Sequence, residues 1–190
     1  MDKKSAGRGK ARRDEKKKRA RTRWIIAAFL MSFTLTAALS AASDKIVEAM
    51  PLFAAALVLI FVIALGVVFD IIGLAVATAD ISVFNSMASR KIKAGKKAVK
   101  LINNSERVSS FCNDIVGDIA GVVSGATGAG IAVKAFAEFE PKTAFLLTLS
   151  LTSLIAAATV GFKAMGKSVA MKQSTEIVTF VAKLLCGFRK

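Results

Sequence analysis

The chain has no histidine, and only two cysteines, two prolines and one tryptophan among its 190 residues. Without histidine there is no imidazole for general-base catalysis, proton shuttling or zinc ligation, so any bound metal must be held by oxygen. Cys112 and Cys186 lie far apart in no metal-like spacing, which argues against a disulfide framework or a zinc site and leaves both as reduced packing residues. No serine has a histidine base, and no acid pair is placed for soluble hydrolysis. The run GATGAG at 125–130 lacks the Lys-Ser/Thr that a phosphate loop requires and falls inside an apolar stretch. An enzyme is therefore not expected. Acids are also scarce, 13 against 28 Lys and Arg.

What the chain does have is apolar residues, 54% of the total, separated into blocks from a formal charge of +15. Such segregation is that of an all-α polytopic membrane protein. Residues 1–23 carry twelve Lys or Arg against Asp2, Asp14 and Glu15. The composition predicts a basic arm, disordered until it meets anions, and beside a membrane its partner is anionic lipid headgroup rather than nucleic acid. A first apolar run covers 24–43, with Trp24 marking the interface. Pro51 opens a second from Leu52 to about Ala79. It is long enough to tilt, to break near Gly66 or Gly73, or to emerge before Asp80.

From Ser86 to Ser109 seven basic residues face a single Glu106, as expected for an amphipathic helix on the membrane surface. A glycine-rich third span follows over 110–133, and Pro141 starts a fourth that covers 143–162. In the tail, Ile177, Val181, Leu184, Leu185 and Phe188 recur at helical spacing. The arm, the central stretch and the tail hold 25 of the 28 basic residues, so the positive-inside rule puts all three in the cytoplasm and gives four crossings of the cell membrane. The expected organisation is thus an arm over 1–23, one additional helix over 24–43 and a three-span domain over 52–190 with a C-terminal amphipathic helix. The alternative for residues 1–42 is a signal peptide, with Ser40, Ala41 and Ala42 near a cleavage site.

Four aspartates interrupt these runs: Asp70, Asp80, Asp114 and Asp118. A carboxylate in hydrocarbon costs several kcal/mol unless it is protonated, paired or bound to a cation, about 3 kcal/mol even on insertion scales. No buried Lys or Arg is expected beside them, so the missing partner is a cation. Gly66, Asp70, Gly73, Ala77 and Asp80 share one helical stripe, and Ser110, Asp114, Gly117, Asp118, Gly121, Gly125 and Gly128 share another. Asp114 and Asp118 are the favoured metal ligands, with Asp70, Asp80 and Asn113 in support and Ser110, Ser124 and Thr78 as neutral oxygens. The competing readings are an interfacial Asp80 and Asp114, and protonated, hydrogen-bonded Asp70 and Asp118.

The stretch from Leu52 to Val178 resembles the membrane domain of the cyclin M and CorB/CorC magnesium and cobalt transporters. Ala77-Thr78-Ala79-Asp80 is similar to the motif that ends that family's first span. The linker RKIKAGKKAVKLINNSERVSSF has its basic helix, glycine and turn. Asn113-Asp114 and Asp118 fall at its paired amides, and GFKAMGKSVAMKQSTEIV is similar to its G-E-x-x-P-K-S-x-A segment. Departures fall on the chemistry: Lys163 stands where the family has Glu, Gly166 where it has Pro, Ala77 where it has Ser, and acids stand at 114 and 118. The family's nucleotide-binding CBS module would follow the C-terminal amphipathic helix; the sequence ends at Lys190, and regulation through that module is not expected. The resemblance implies a homodimer with an acidic, cytosol-facing cavity and transport of a divalent cation, Mg2+ first and Co2+ second. A membrane scaffold that keeps the fold without transporting is the alternative.

Overall fold

In the computed structural model, which describes residues 3–187, the chain is helical, with no strand among the described residues. Asp2 and Phe188 lie outside that range, and the side chains of the arm up to Lys18 and of Asp44 also lie outside the description. Helix α1 spans Lys3–Ala49, α2 Leu52–Thr78, α3 Ile81–Ser89, α4 Lys93–Ile102 and α5 Ser105–Ser109. A π-helical segment, Ser110–Gly117, leads into α6, Asp118–Ala135, and α7, Pro141–Lys172, is followed by α8, Ser174–Gly187. Four of these elements are long and apolar enough to cross a membrane: Thr22–Ala49, Leu52–Thr78, Ser105–Ala135 and Pro141–Lys172.

Several boundaries differ from the expected ones for local reasons. The basic arm is continuous with the first span, because its Ala, Lys, Arg and Glu residues favour helix and no proline interrupts them. Helix α2 does not break at Gly66 or Gly73; it ends at Thr78, two residues before Asp80. The central basic stretch is three short helices rather than one. Its first break falls at Lys91, whose φ of 59° is in the left-handed region. Helix α7 runs ten residues beyond Phe162, to Lys172.

Packing is organised around α2, which touches α5, the π-helical segment, α6, α7 and α8, whereas α1 leans on α6. Small residues make these approaches possible: a Cβ on Gly66 would stand 2.8 Å from the Cβ of Ala120. At the end of the bundle that carries the basic helices, Val76, Phe84, Ala98, Ala170, Val178 and Ala182 form one core. At the opposite end Val47, Ala55, Leu59 and Ile131 form another. There Lys134 donates hydrogen bonds to the carbonyls of Val47, Glu48 and Met50 at 2.9, 3.1 and 2.8 Å, closing the turn between α1 and α2. Much of the outer surface is apolar, with Phe53, Phe61, Phe145, Leu154 and Val160 all more than 60% exposed, as for helices whose solvent is lipid.

Candidate functional site: an ion pair among the spans

Asp70 is only 6% exposed, the one buried carboxylate among the described residues. Its stripe on α2 faces the π-helical segment as the glycine spacing predicts, and Gly117 gives it room: a Cβ there would run into Asp70 Oδ1. Contrary to expectation, a lysine is beside it. Lys163 of α7 places Nζ 3.2 Å from Asp70 Oδ2 and donates a second hydrogen bond to the Gly117 carbonyl at 2.9 Å. The reason is length: α7 stays helical past Phe162, and its lysine is carried back into the bundle instead of starting a surface tail.

Asn113 stands next to this pair. An added Cβ on Gly73 would collide with Asn113 Oδ1 and would stand 2.9 Å from the Cβ of Cys112. That Asn113 oxygen is buried and accepts no hydrogen bond. Buried oxygens without a donor are uncommon and usually have a structural or functional reason. Both Asn113 and Gly117 belong to the π-helical segment, a form found preferentially at functional sites because its wider turn re-aims side chains. The tethered ammonium therefore holds one carboxylate and one backbone carbonyl, and a buried amide oxygen lies one helical turn away along α2, against Gly73.

The other expected ligands are not brought to it. Asp80 caps α3, accepting from the Ser82 backbone N–H at 2.9 Å and the Ser82 hydroxyl at 2.8 Å, and these bonds hold its carboxyl below the usual carboxylate range. Asp114 and Asp118 are exposed. The single face expected on the third span is split: Gly117 and Gly128, about 20° apart on an α-helix, turn inward, whereas nothing lies within 4 Å of a Cβ added at Gly121 or Gly125. Thr78 and Ser124 donate their hydroxyls to Leu74 and Gly121 of their own helices. Among the described residues no three His, Cys, Asp or Glu side chains are grouped to hold a metal ion. Beside the pair, an apolar groove of about 430 Å³ between α2 and α7 is lined by Ile60, Val67, Phe162 and Met165 and carries no charge.

Sequence reasoning ranked Asp70 below Asp114 and Asp118 and noted Lys163 only as a departure from the family's Glu, not as the partner of Asp70. Only the continuation of α7 to Lys172 reveals the match. Asp70 lies eight residues before the end of α2 and Lys163 nine before the end of α7, so two helices running the same way set opposite charges at one depth. No family model, curated protein or solved structure matches this chain.

Proposed function

We propose that the chain crosses the cell membrane four times with both ends in the cytoplasm, and that it binds and transports a divalent cation, Mg2+ first, at Asp70. The observation that carries this reading is the Asp70–Lys163 pair, with an unsatisfied Asn113 oxygen against Gly73, one turn along α2 from Asp70. A carboxylate taken out of water needs a positive charge close by, and here a lysine supplies it. An arriving cation competes with that ammonium for Asp70, with the Gly117 carbonyl and Asn113 Oδ1 as neutral oxygen ligands. Mg2+ suits such a sparse set because it keeps several of its waters. Lys163, released, swings away from Asp70, and the waters that Mg2+ keeps help to carry the positive charge that the site gains. The basic helices at one end of the bundle support the orientation through the positive-inside rule. The resemblance to the cyclin M and CorB/CorC transporters supports the choice of ion.

A second reading, the membrane scaffold without transport, is favoured by the same ammonium, which already satisfies Asp70 within the chain. Thermal unfolding of the purified protein with and without Mg2+ separates the two. Binding at Asp70 predicts a Mg2+-dependent rise in Tm that grows in Lys163→Met and disappears in Asp70→Asn. A Tm indifferent to Mg2+ in both the native protein and Lys163→Met leaves the scaffold.

A further inference from the structure

The buried pair neutralises itself. Asp70 is the one buried carboxylate among the described residues, and Asp80, Asp114 and Asp118 are exposed. The ammonium beside Asp70 belongs to Lys163 of α7, and two acceptors hold it, Asp70 Oδ2 at 3.2 Å and the Gly117 carbonyl at 2.9 Å. A carboxylate buried without a partner is costly, so a bare acid in a membrane site needs a cation whenever its cargo has left. In an exchanger a second dissolved cation fills that need and rides back across the membrane. Here the counter-charge is part of the chain and is never released on either side.

The geometry also shows which partner gives way. The Lys163 side chain is 20% exposed against 9% for Asp70, so the ammonium lies on the more open side of the pair. It sits at the end of a flexible four-carbon stem that can turn without moving α7. Asp70 has no such freedom, because its Oδ1 lies where a Cβ on Gly117 would be.

We infer that Lys163 takes the place of a counter-ion: the site returns empty as a neutral pair and crosses loaded with two extra positive charges, so the membrane potential drives Mg2+ uptake. Asp70 and Lys163 cancel when they touch, and both stay charged when the cation enters, which leaves the charge of Mg2+ uncompensated. A membrane negative inside pulls that charge inward. For two charges, roughly 30 mV of potential supports a tenfold difference in concentration. The inference rests on the reading of Asp70 as a Mg2+ site and adds to it a driving force and a direction.

Proteoliposomes of the full chain, holding K+ and an Mg2+-sensitive dye, test it with valinomycin setting the potential. With the native chain, Mg2+ should accumulate inside about tenfold when roughly 30 mV, negative inside, is imposed, and should drain when the potential is reversed. An outward gradient of Na+ or protons at zero potential should drive no accumulation. In Lys163→Met the empty site keeps a bare Asp70 that a cation must accompany, so the same outward gradients should drive uptake there at zero potential. Native accumulation driven by a Na+ or proton gradient, a plateau that ignores the potential, or a folded Lys163→Met that behaves as the native chain does would overturn the inference while leaving Asp70 as a transport site. If Lys163→Met does not fold, the potential series on the native chain decides alone. Absence of uptake at every potential overturns the inference as well, and the Mg2+-dependent rise in Tm of the same protein then tells whether binding at Asp70 stands.

Discussion

The Lys163 ammonium bridges two elements, holding Asp70 Oδ2 of α2 at 3.2 Å and the carbonyl of Gly117 in the third span at 2.9 Å. Three helices long and apolar enough to cross a membrane thus meet at one positive charge. Removing either charge leaves the other buried without its partner, which costs about 3–5 kcal/mol. Asp70→Asn and Lys163→Met should each lower stability by that order. The double variant should recover most of it, because no charge is left behind. Reversible unfolding of all three in detergent gives the coupling energy.

Gly117 separates space from sequence pattern. A methyl group there collides with Asp70 Oδ1, whereas one at Gly125 meets nothing within 4 Å. Gly117→Ala should destabilise by about 1–3 kcal/mol, as overpacking does, and Gly125→Ala should leave the unfolding of a single copy unchanged. Both glycines look alike in the sequence.

At the far end of the bundle, Lys134 gathers the carbonyls of Val47, Glu48 and Met50. These include backbone acceptors that the end of α1 leaves without helical partners. Lys134→Met should cost about 1 kcal/mol and raise amide exchange around Met50 while leaving exchange at Phe84 unchanged. Exchange followed by mass spectrometry measures both.

Asp80 gives the fold a pH dependence at its exposed corner. Its carboxyl lies below the ordinary 3.8 because it accepts from the Ser82 N–H and, to a lesser degree, the Ser82 hydroxyl. With the folded pKa below the unfolded one, the cap contributes fully above the unfolded value and is lost as pH falls through the folded value. Amide exchange at the start of α3, corrected for intrinsic rates, should accelerate as pH drops below the usual carboxylate range. In Asp80→Ala it should already be fast at neutral pH.

The spans were legible because bilayer-length apolar runs need no partner to be recognised; Leu52–Thr78 and the third and fourth spans lie close to where hydropathy puts them. The polar site was legible in part. Asp70 stood out as an acid on a glycine stripe, but its lysine lies 93 residues away and is brought close only by the registry of α2 with α7. Ser110, Asp114, Gly117 and Asp118 were assigned to one face with a helical period that the π-helical segment does not keep. A wider turn leaves no hydrophobic signature, so the split into an inward Gly117 and outward Asp114 and Asp118 follows from backbone geometry alone.

The central claim is that Asp70 carries a cation that competes with Lys163, and ion flux in proteoliposomes tests it most directly. Mg2+ entry into vesicles containing native protein, Asp70→Asn or Lys163→Met should be measured at equal protein density. The account predicts flux above empty vesicles for the native chain, a loss of at least tenfold in Asp70→Asn, and flux retained in Lys163→Met. Equal Mg2+ flux in the native chain and Asp70→Asn, or none in the native chain, would contradict it.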